Sequence, residues 1–181
     1  MKEEFTLTVY SENVVGLLNQ VTTVFTRRHI NIESITASAS AIKGIHKITI
    51  VIVSNCDQVE KLVGQIEKRI DVLKAYYFRT HEIVYQEIAL YKVPTQLLLE
   101  GNEVEQLVRK HGARILELTE EYVVIQKTGH KEETQDLYEK LQPYGLTQFT
   151  RSGRVAVNRL KKEPLTTWLK TLEEDQLKVK A

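Results

Sequence analysis

The sequence contains one cysteine, three prolines, one methionine and one tryptophan in 181 residues. With Cys56 alone, an internal disulfide and a cysteine-only metal site are both excluded. No apolar run approaches the roughly 20 residues of a membrane span. The opening Met1-Lys2-Glu3-Glu4 passes directly into an alternating strand pattern, with no signal-peptide core before it. Neither sign of charge is in excess, because 25 Lys+Arg against 24 Asp+Glu leave a formal charge of +1. Nucleic-acid partners normally leave a basic surplus, so the balance argues against them. Catalytic signatures are missing as well: the sequence has no G-x-x-x-x-G-K-[ST], no G-x-G-x-x-G, no G-x-S-x-G and no H-E-x-x-H. Its five histidines (His29, His46, His81, His111, His130) include no i, i+4 pair, so neither a catalytic residue nor a metal ligand is assigned. What is present, 42% hydrophobic and 27% charged residues, is the composition of a soluble globular protein, expected in the cytoplasm.

Two copies of one pattern organise the chain. Phe5, Leu7 and Val9 alternate with Thr6, Thr8 and Tyr10, the period of a half-buried strand. After Asn13, the residues Val14, Leu17, Leu18, Val21, Val24, Phe25 and Arg28 recur at helical steps. Residues 30–39 and 45–53 are β-branched runs separated by Lys43-Gly44, a hairpin signal. Asp57 with Glu60 fits a capping box, and Val59, Leu62, Val63, Ile66 and Ile70 follow as one stripe before a strand over 71–78. The order βαββαβ then recurs: a strand over 83–93, a helix capped by Asn102 and ended by Gly112, strands over 113–119 and 122–128, a helix through Thr134, Leu137 and Leu141, and a last extended stretch broken at Ser152-Gly153. The fold class is therefore α+β, with two consecutive ferredoxin-like domains over 1–80 and 83–160. A C-terminal tail over 161–181 is expected to be helical from Pro164. It either packs on the second domain or presents Trp168 as a docking element. Units of about 75–80 residues bury only about 60–65% of their unfolded surface, so a partner or each other is expected to support them.

The βαββαβ unit also hosts RNA-recognition motifs, whose third strand carries stacking aromatics. Here Ile45, Lys47 and Ile50 stand at those positions, and the base platform is missing. More informative is Asn13-Val14-Val15-Gly16-Leu17-Leu18, which places a glycine in the first turn of a helix that follows a strand. Glycine there costs about 0.8–1.0 kcal/mol relative to alanine. Two readings account for it: a ligand carboxylate or phosphate approaches the free helix amides, or the helix packs closely on a strand. Asn31-Ile32-Glu33-Ser34 opens the next strand and is expected nearby.

Asn13-x-x-Gly16-x-Leu18 followed by Phe25-x-Arg27-Arg28-His29-Ile30-Asn31-Ile32-Glu33-Ser34-Ile35 resembles the ACT domain of the small, regulatory subunit of acetolactate synthase. Gln65–Leu73, Glu87–Leu90, Gly112–Ile115, Gln126–Gly129, Pro143–Gly145 and Arg151–Gly153 continue the likeness, which spans residues 4–160 and leaves out the tail. The resemblance implies a non-catalytic subunit without a cofactor of its own. Its implied partner is the large catalytic subunit, which carries thiamine diphosphate, Mg2+ and usually FAD. It further implies a homodimer of ACT domains paired side by side, with valine or another branched-chain amino acid at their interface as feedback inhibitor. By the same resemblance, effector binding falls to Asn13, Gly16, Asn31 and Ser38. The other class open at this point is a stand-alone amino-acid-sensing ACT protein that controls a different enzyme or a transcription factor. Against the family pattern, His29 replaces a glycine, so the turn there requires His29 to enter an unusual backbone region. Val14-Val15 replace a more polar pair, and Ser38 stands where alanine or proline is common.

Overall fold

In the computed structural model, residues 2–96 and 102–179 are described, 173–179 by backbone alone. The far end of the expected tail, residues 180–181, lies outside them. Contacts divide the chain into two units: one runs up to Val84 and takes in the segment from Ala156 onward, and the other is Tyr85–Val155.

The first unit contains β1 (Glu3–Glu12), α1 (Leu17–Arg27), β2 (Ile32–Ala39), β3 (Ile45–Ser54), α2 (Cys56–Ile66) and β4 (Val72–Arg79). Its sheet has the order β2-β3-β1-β4, with antiparallel neighbours throughout. The period-two alternation of β1 sends Phe5, Leu7 and Val9 to one face. There they join Leu17, Val21, Val24 and Phe25 of α1 and Val59, Leu62, Val63 and Ile66 of α2 in one apolar cluster. The other face of β1, Thr6, Thr8 and Tyr10, is buried too. Residues of the returning C-terminal segment lie over it: Thr8, Tyr10, Tyr76 and Phe78 line a narrow pocket together with Ala156, Asn158 and Pro164. Tyr10 is 2% exposed. Its hydroxyl donates to Glu163 Oε1 at 2.6 Å, and Lys47 Nζ donates to the Ala156 carbonyl at 3.2 Å. Burial, and then the Glu163 carboxylate, hold the Tyr10 phenol well above its usual titration range.

Two local details depart from the sequence expectation. The cap of α2 is Asn55, whose Oδ1 accepts from Gln58 N at 3.0 Å; Asp57 lies inside the first turn, where its charge complements the helix dipole. The terminal helix α5 (Pro164–Val179) starts at Pro164 as read, yet its contacts group it with the first unit and not with the second domain.

In the second unit, β5 (Ile83–Pro94), α3 (Glu103–Lys110), β6 (Arg114–Leu118), β7 (Tyr122–Gly129), α4 (Lys131–Leu141), β8 (Gln148–Arg151) and β9 (Val155–Asn158) repeat the pattern, and β5 and β9 each cross the division between units. The sheet order is β6-β7-β5-β8, with β9 also paired to β5. Ala89, Tyr91 and Val93 meet Val104, Val108, Val123, Ile125, Leu137 and Leu141 in the core. The break at Ser152-Gly153 is a built feature, since Ser152 N donates to Ile88 O at 2.8 Å and Ser152 Oγ accepts from Ile88 N at 2.9 Å. The buried Tyr91 hydroxyl donates to Thr134 O at 2.6 Å, and burial pushes its pKa up to about 12.

Helices α1 and α3 end in the same way. Ile30 N bonds to Phe25 O and His29 N to Thr26 O, while Ala113 N bonds to Val108 O and Gly112 N to Arg109 O. This double bond pattern requires a left-handed residue just past the cap. Gly112 meets it at φ 59°, and His29 meets it at φ 53°, as the sole non-glycine with positive φ among the described residues. A side chain in this region costs roughly 1–2 kcal/mol, partly offset because glycine frees the unfolded chain. His29→Gly is therefore expected to raise unfolding free energy by up to about 1 kcal/mol in urea titration, and a loss of stability would contradict this account. Alkaline unfolding offers a second check. A phenol whose folded pKa lies above its unfolded value of 10 contributes stability fully below pH 10 and loses it as pH rises toward 12. Tyr91→Phe should flatten part of that fall, visible as a smaller change in melting temperature between pH 9 and pH 12.

Candidate functional site

The corner between β1 and α1 is shaped by one backbone angle. Gly16 has φ 86° and stands at the cap position of α1, one residue before the first turn. The expectation of a glycine inside the helix is corrected accordingly: the left-handed conformation, and not a helical cost, selects it. A Cβ on Gly16 would meet no atom within 4 Å, so close packing of helix on strand is not its reason either. Gly16 O accepts the first helical bond from Gln20 N at 3.1 Å. No side chain caps this end and no acidic residue lies in the first turn. The amides of Leu18 and Asn19 therefore begin the helix without intrahelical acceptors, beside an exposed Asn13. Such an end carries about half a positive charge and suits a carboxylate.

Sheet register decides where the remaining candidates lie. Ser11 and Ala39 both oppose His46, and Phe5 and Ile32 both oppose Ile52. Thus β2 runs parallel to β1 with β3 between them. Ser38, exposed on β2, is level with Tyr10 at the end of the sheet where the Gly16 corner lies. Asn31 immediately precedes β2 at the opposite end, and its Nδ2 donates to Glu33 Oε1 at 3.1 Å. The six strand steps from Phe5 to Ser11 span about 20 Å. Within one chain, Asn31 does not join Asn13 and Gly16, contrary to the expectation that it lies nearby. Its strand, β2, is the sheet edge. Lys47, which the sequence did not mark, stands opposite Ser38 and reaches the Ala156 carbonyl, a contact 109 positions away that no local pattern signals. Among the described residues no group of three His, Cys, Asp or Glu side chains is placed to hold a metal ion. No described helix is long and apolar enough to cross a membrane.

Comparison with known proteins agrees over most of both units, up to residue 160. The family described as AHAS small subunit-like ACT domain matches residues 7–74, and the family described as small subunit of acetolactate synthase matches residues 86–160. The acetolactate synthase small subunit of Bacillus subtilis (strain 168) is 36% identical over 160 residues, covering 88% of this chain and 91% of that one. The chain belongs to the acetolactate synthase small-subunit family. Its counterpart from Mycolicibacterium smegmatis is 32% identical over 154 residues, with 85% and 90% of the two chains covered. The crystal structure of the acetolactate synthase small subunit from Thermotoga maritima matches with a TM-score of 0.80 at 26% identity, over 88% of this chain and 99% of that one. A small subunit is the regulatory, non-catalytic part of acetolactate synthase.

Because Gly16 is selected by its φ, alanine and asparagine should differ there. Gly16→Ala pays roughly 1–2 kcal/mol for the left-handed region, whereas Gly16→Asn, a residue that tolerates it, loses less. Chemical denaturation of the two variants side by side checks the order; equal losses would mean that φ is not the constraint.

Proposed function

We propose that this small subunit binds the catalytic large subunit of acetolactate synthase, raises its activity, and transmits feedback inhibition by valine or a related branched-chain amino acid. The thiamine diphosphate, Mg2+ and FAD belong to the partner in this reading. The observation that carries it is the split of the candidate site. Asn13 and Gly16 follow β1 at one end of the sheet, Ser38 lies at that same end on the edge strand β2, and Asn31 precedes β2 at the other end. A second copy joined antiparallel along β2 turns the sheet end for end. Asn31 of that copy then approaches the Gly16 corner of the first, and the dyad makes two equal sites.

In such a site the α1 amides receive the carboxylate, the side-chain carbonyls of Asn13 and Asn31 accept from the ammonium group, and the isopropyl group meets apolar surface. Val14, Val15 and Leu18 are all exposed beside the corner. Val15 is 104% exposed, the degree expected of a residue awaiting a partner and not of a core residue. Feedback then acts as a coupling free energy between two sites, so loss of effector binding need not impair activation of the catalytic subunit.

Complementation tests the shared site directly. Asn13→Ala and Asn31→Ala homodimers should each lose valine binding by more than tenfold in calorimetry. Mixing them after a refolding step should restore about a quarter of the sites, because half the dimers are mixed and each carries one intact site of two. Both single variants are expected to still activate the large subunit. No restoration on mixing would place both asparagines in one protomer's site or in none. Sedimentation should show a dimer at micromolar concentration; a 20.9 kDa species alone would overturn the side-by-side arrangement.

A further inference from the structure

A second concavity lies away from the Gly16 corner, at the C-terminal ends of α1 and α2. Val24, Arg27, Arg28, Gln65, Lys68 and Arg69 line a groove of about 550 Å3. Four of these six are cations and none is an acid. Among the described residues, none of the four takes part in an ion pair. Glu67, adjacent in sequence, is engaged elsewhere: its Oε1 lies 2.6 Å from Lys74 Nζ and accepts from Ala75 N at 3.2 Å. The guanidinium of Arg28 is fixed by its Nε, which donates to Gln65 Oε1 at 2.7 Å between the two helices. Arg69 Nε is buried with no hydrogen-bond partner among the described residues, so packing and not an acceptor holds that side chain.

Cations are common at helix C-termini because they offset the macrodipole. Each end carries about half a negative charge, so two ends neutralise about one of the four cations. About three positive charges remain, gathered in a concave space. Its volume falls within the 300–1,000 Å3 usual for small-ligand sites, and it encloses a compact anion better than it meets a flat acidic surface. Three guanidinium groups with a lysine point charge are a donor set for phosphate oxygens.

We propose that this groove binds a small, multiply charged oxyanion, the phosphate or diphosphate group of a free metabolite. The site is separate from the amino-acid corner: α1 carries Gly16 before its first turn and Arg27 in its last. The inference does not rest on the valine reading.

Calorimetric titration of the full-length protein with inorganic diphosphate at low ionic strength tests it, since exposed charges are screened at high salt. Saturable binding of one diphosphate per chain is expected, with orthophosphate weaker. Lys68→Gln with Arg69→Gln should weaken diphosphate more than tenfold, while Lys161→Gln with Lys162→Gln, elsewhere on the surface, should leave it unchanged. Lys68→Gln alone, at an exposed position, should weaken it severalfold and covers the case in which the double variant does not fold. A nucleoside diphosphate arm separates sources: tighter binding than diphosphate would support the site with a nucleotide as its ligand, and equal binding would support it with the phosphates alone recognised. Absence of saturable binding, or equal weakening by both double variants, would overturn the proposal. Valine titration of the same variants is expected to be unchanged, so failure of one site is distinguishable from failure of the other.

Discussion

Strand β1 is buried from Phe5 to Ser11 on both of its faces, and the rest of the first unit is arranged around that requirement. One face is apolar, and α1 and α2 cover it. The other presents Thr6, Thr8 and Tyr10, polar groups that tolerate burial only where acceptors are supplied. Tyr10 obtains its acceptor from Glu163, 153 positions later. The chain must therefore complete the second unit and return before the central strand of the first is fully enclosed. That return explains why β5 leaves the first unit and β9 re-enters it, and why the terminal helix belongs to the first unit by contact although it follows the second domain in sequence.

The same sheet sets the logic of the proposed effector site. With β1 and β3 in the middle, β2 is left at an edge, and an edge strand presents unpaired backbone groups that need a partner or a cover. In the proposed dimer, with Asn31 and Ser38 at the two ends of β2 and Gly16 beyond the end of β1, that edge is the seam between copies. Helix α1 is bounded on each side by a left-handed residue, Gly16 at φ 86° and His29 at φ 53°. The first leaves the starting amides uncapped and open, and the second turns the chain sharply into Asn31. A single helix thus positions both halves of the site, one at its own sheet end and one at the opposite end.

Periodicity carried most of the secondary structure, because burial on one face writes a period of two or 3.6 directly into the residues. Phe5-Leu7-Val9, the α2 stripe from Val59 to Ile66, Gly112 and Pro164 were all legible in this way, whereas Ile70, read as part of that stripe, lies beyond the helix and is exposed. Failures of the reading came where two residues offer the same chemistry or where the contact is distant. Asn55 and Asp57 both suit a cap, and the local pattern does not separate them. A glycine before a helix and one inside it look alike until φ is known. The position of Asn31 follows from α1 returning the chain so that β2 starts level with the start of β1, a consequence of element order that the local residues do not show. Packing of the tail on Tyr10 is less local still.

Net charge illustrates the limit of an average. A formal charge of +1 over 181 residues argues against an extended polyanion as partner, since such a surface needs a basic excess along its length. It has no bearing on four cations brought together by the ends of two helices. Arg27 and Arg28 are adjacent in sequence, as are Lys68 and Arg69, but forty positions separate the pairs, and each pair alone reads as an ordinary basic helix end. Only the packing of α1 and α2 on the β1 core brings them into one concave field. The fold that buries Phe5, Leu7 and Val9 is thus also what concentrates charge in a chain whose composition is nearly neutral.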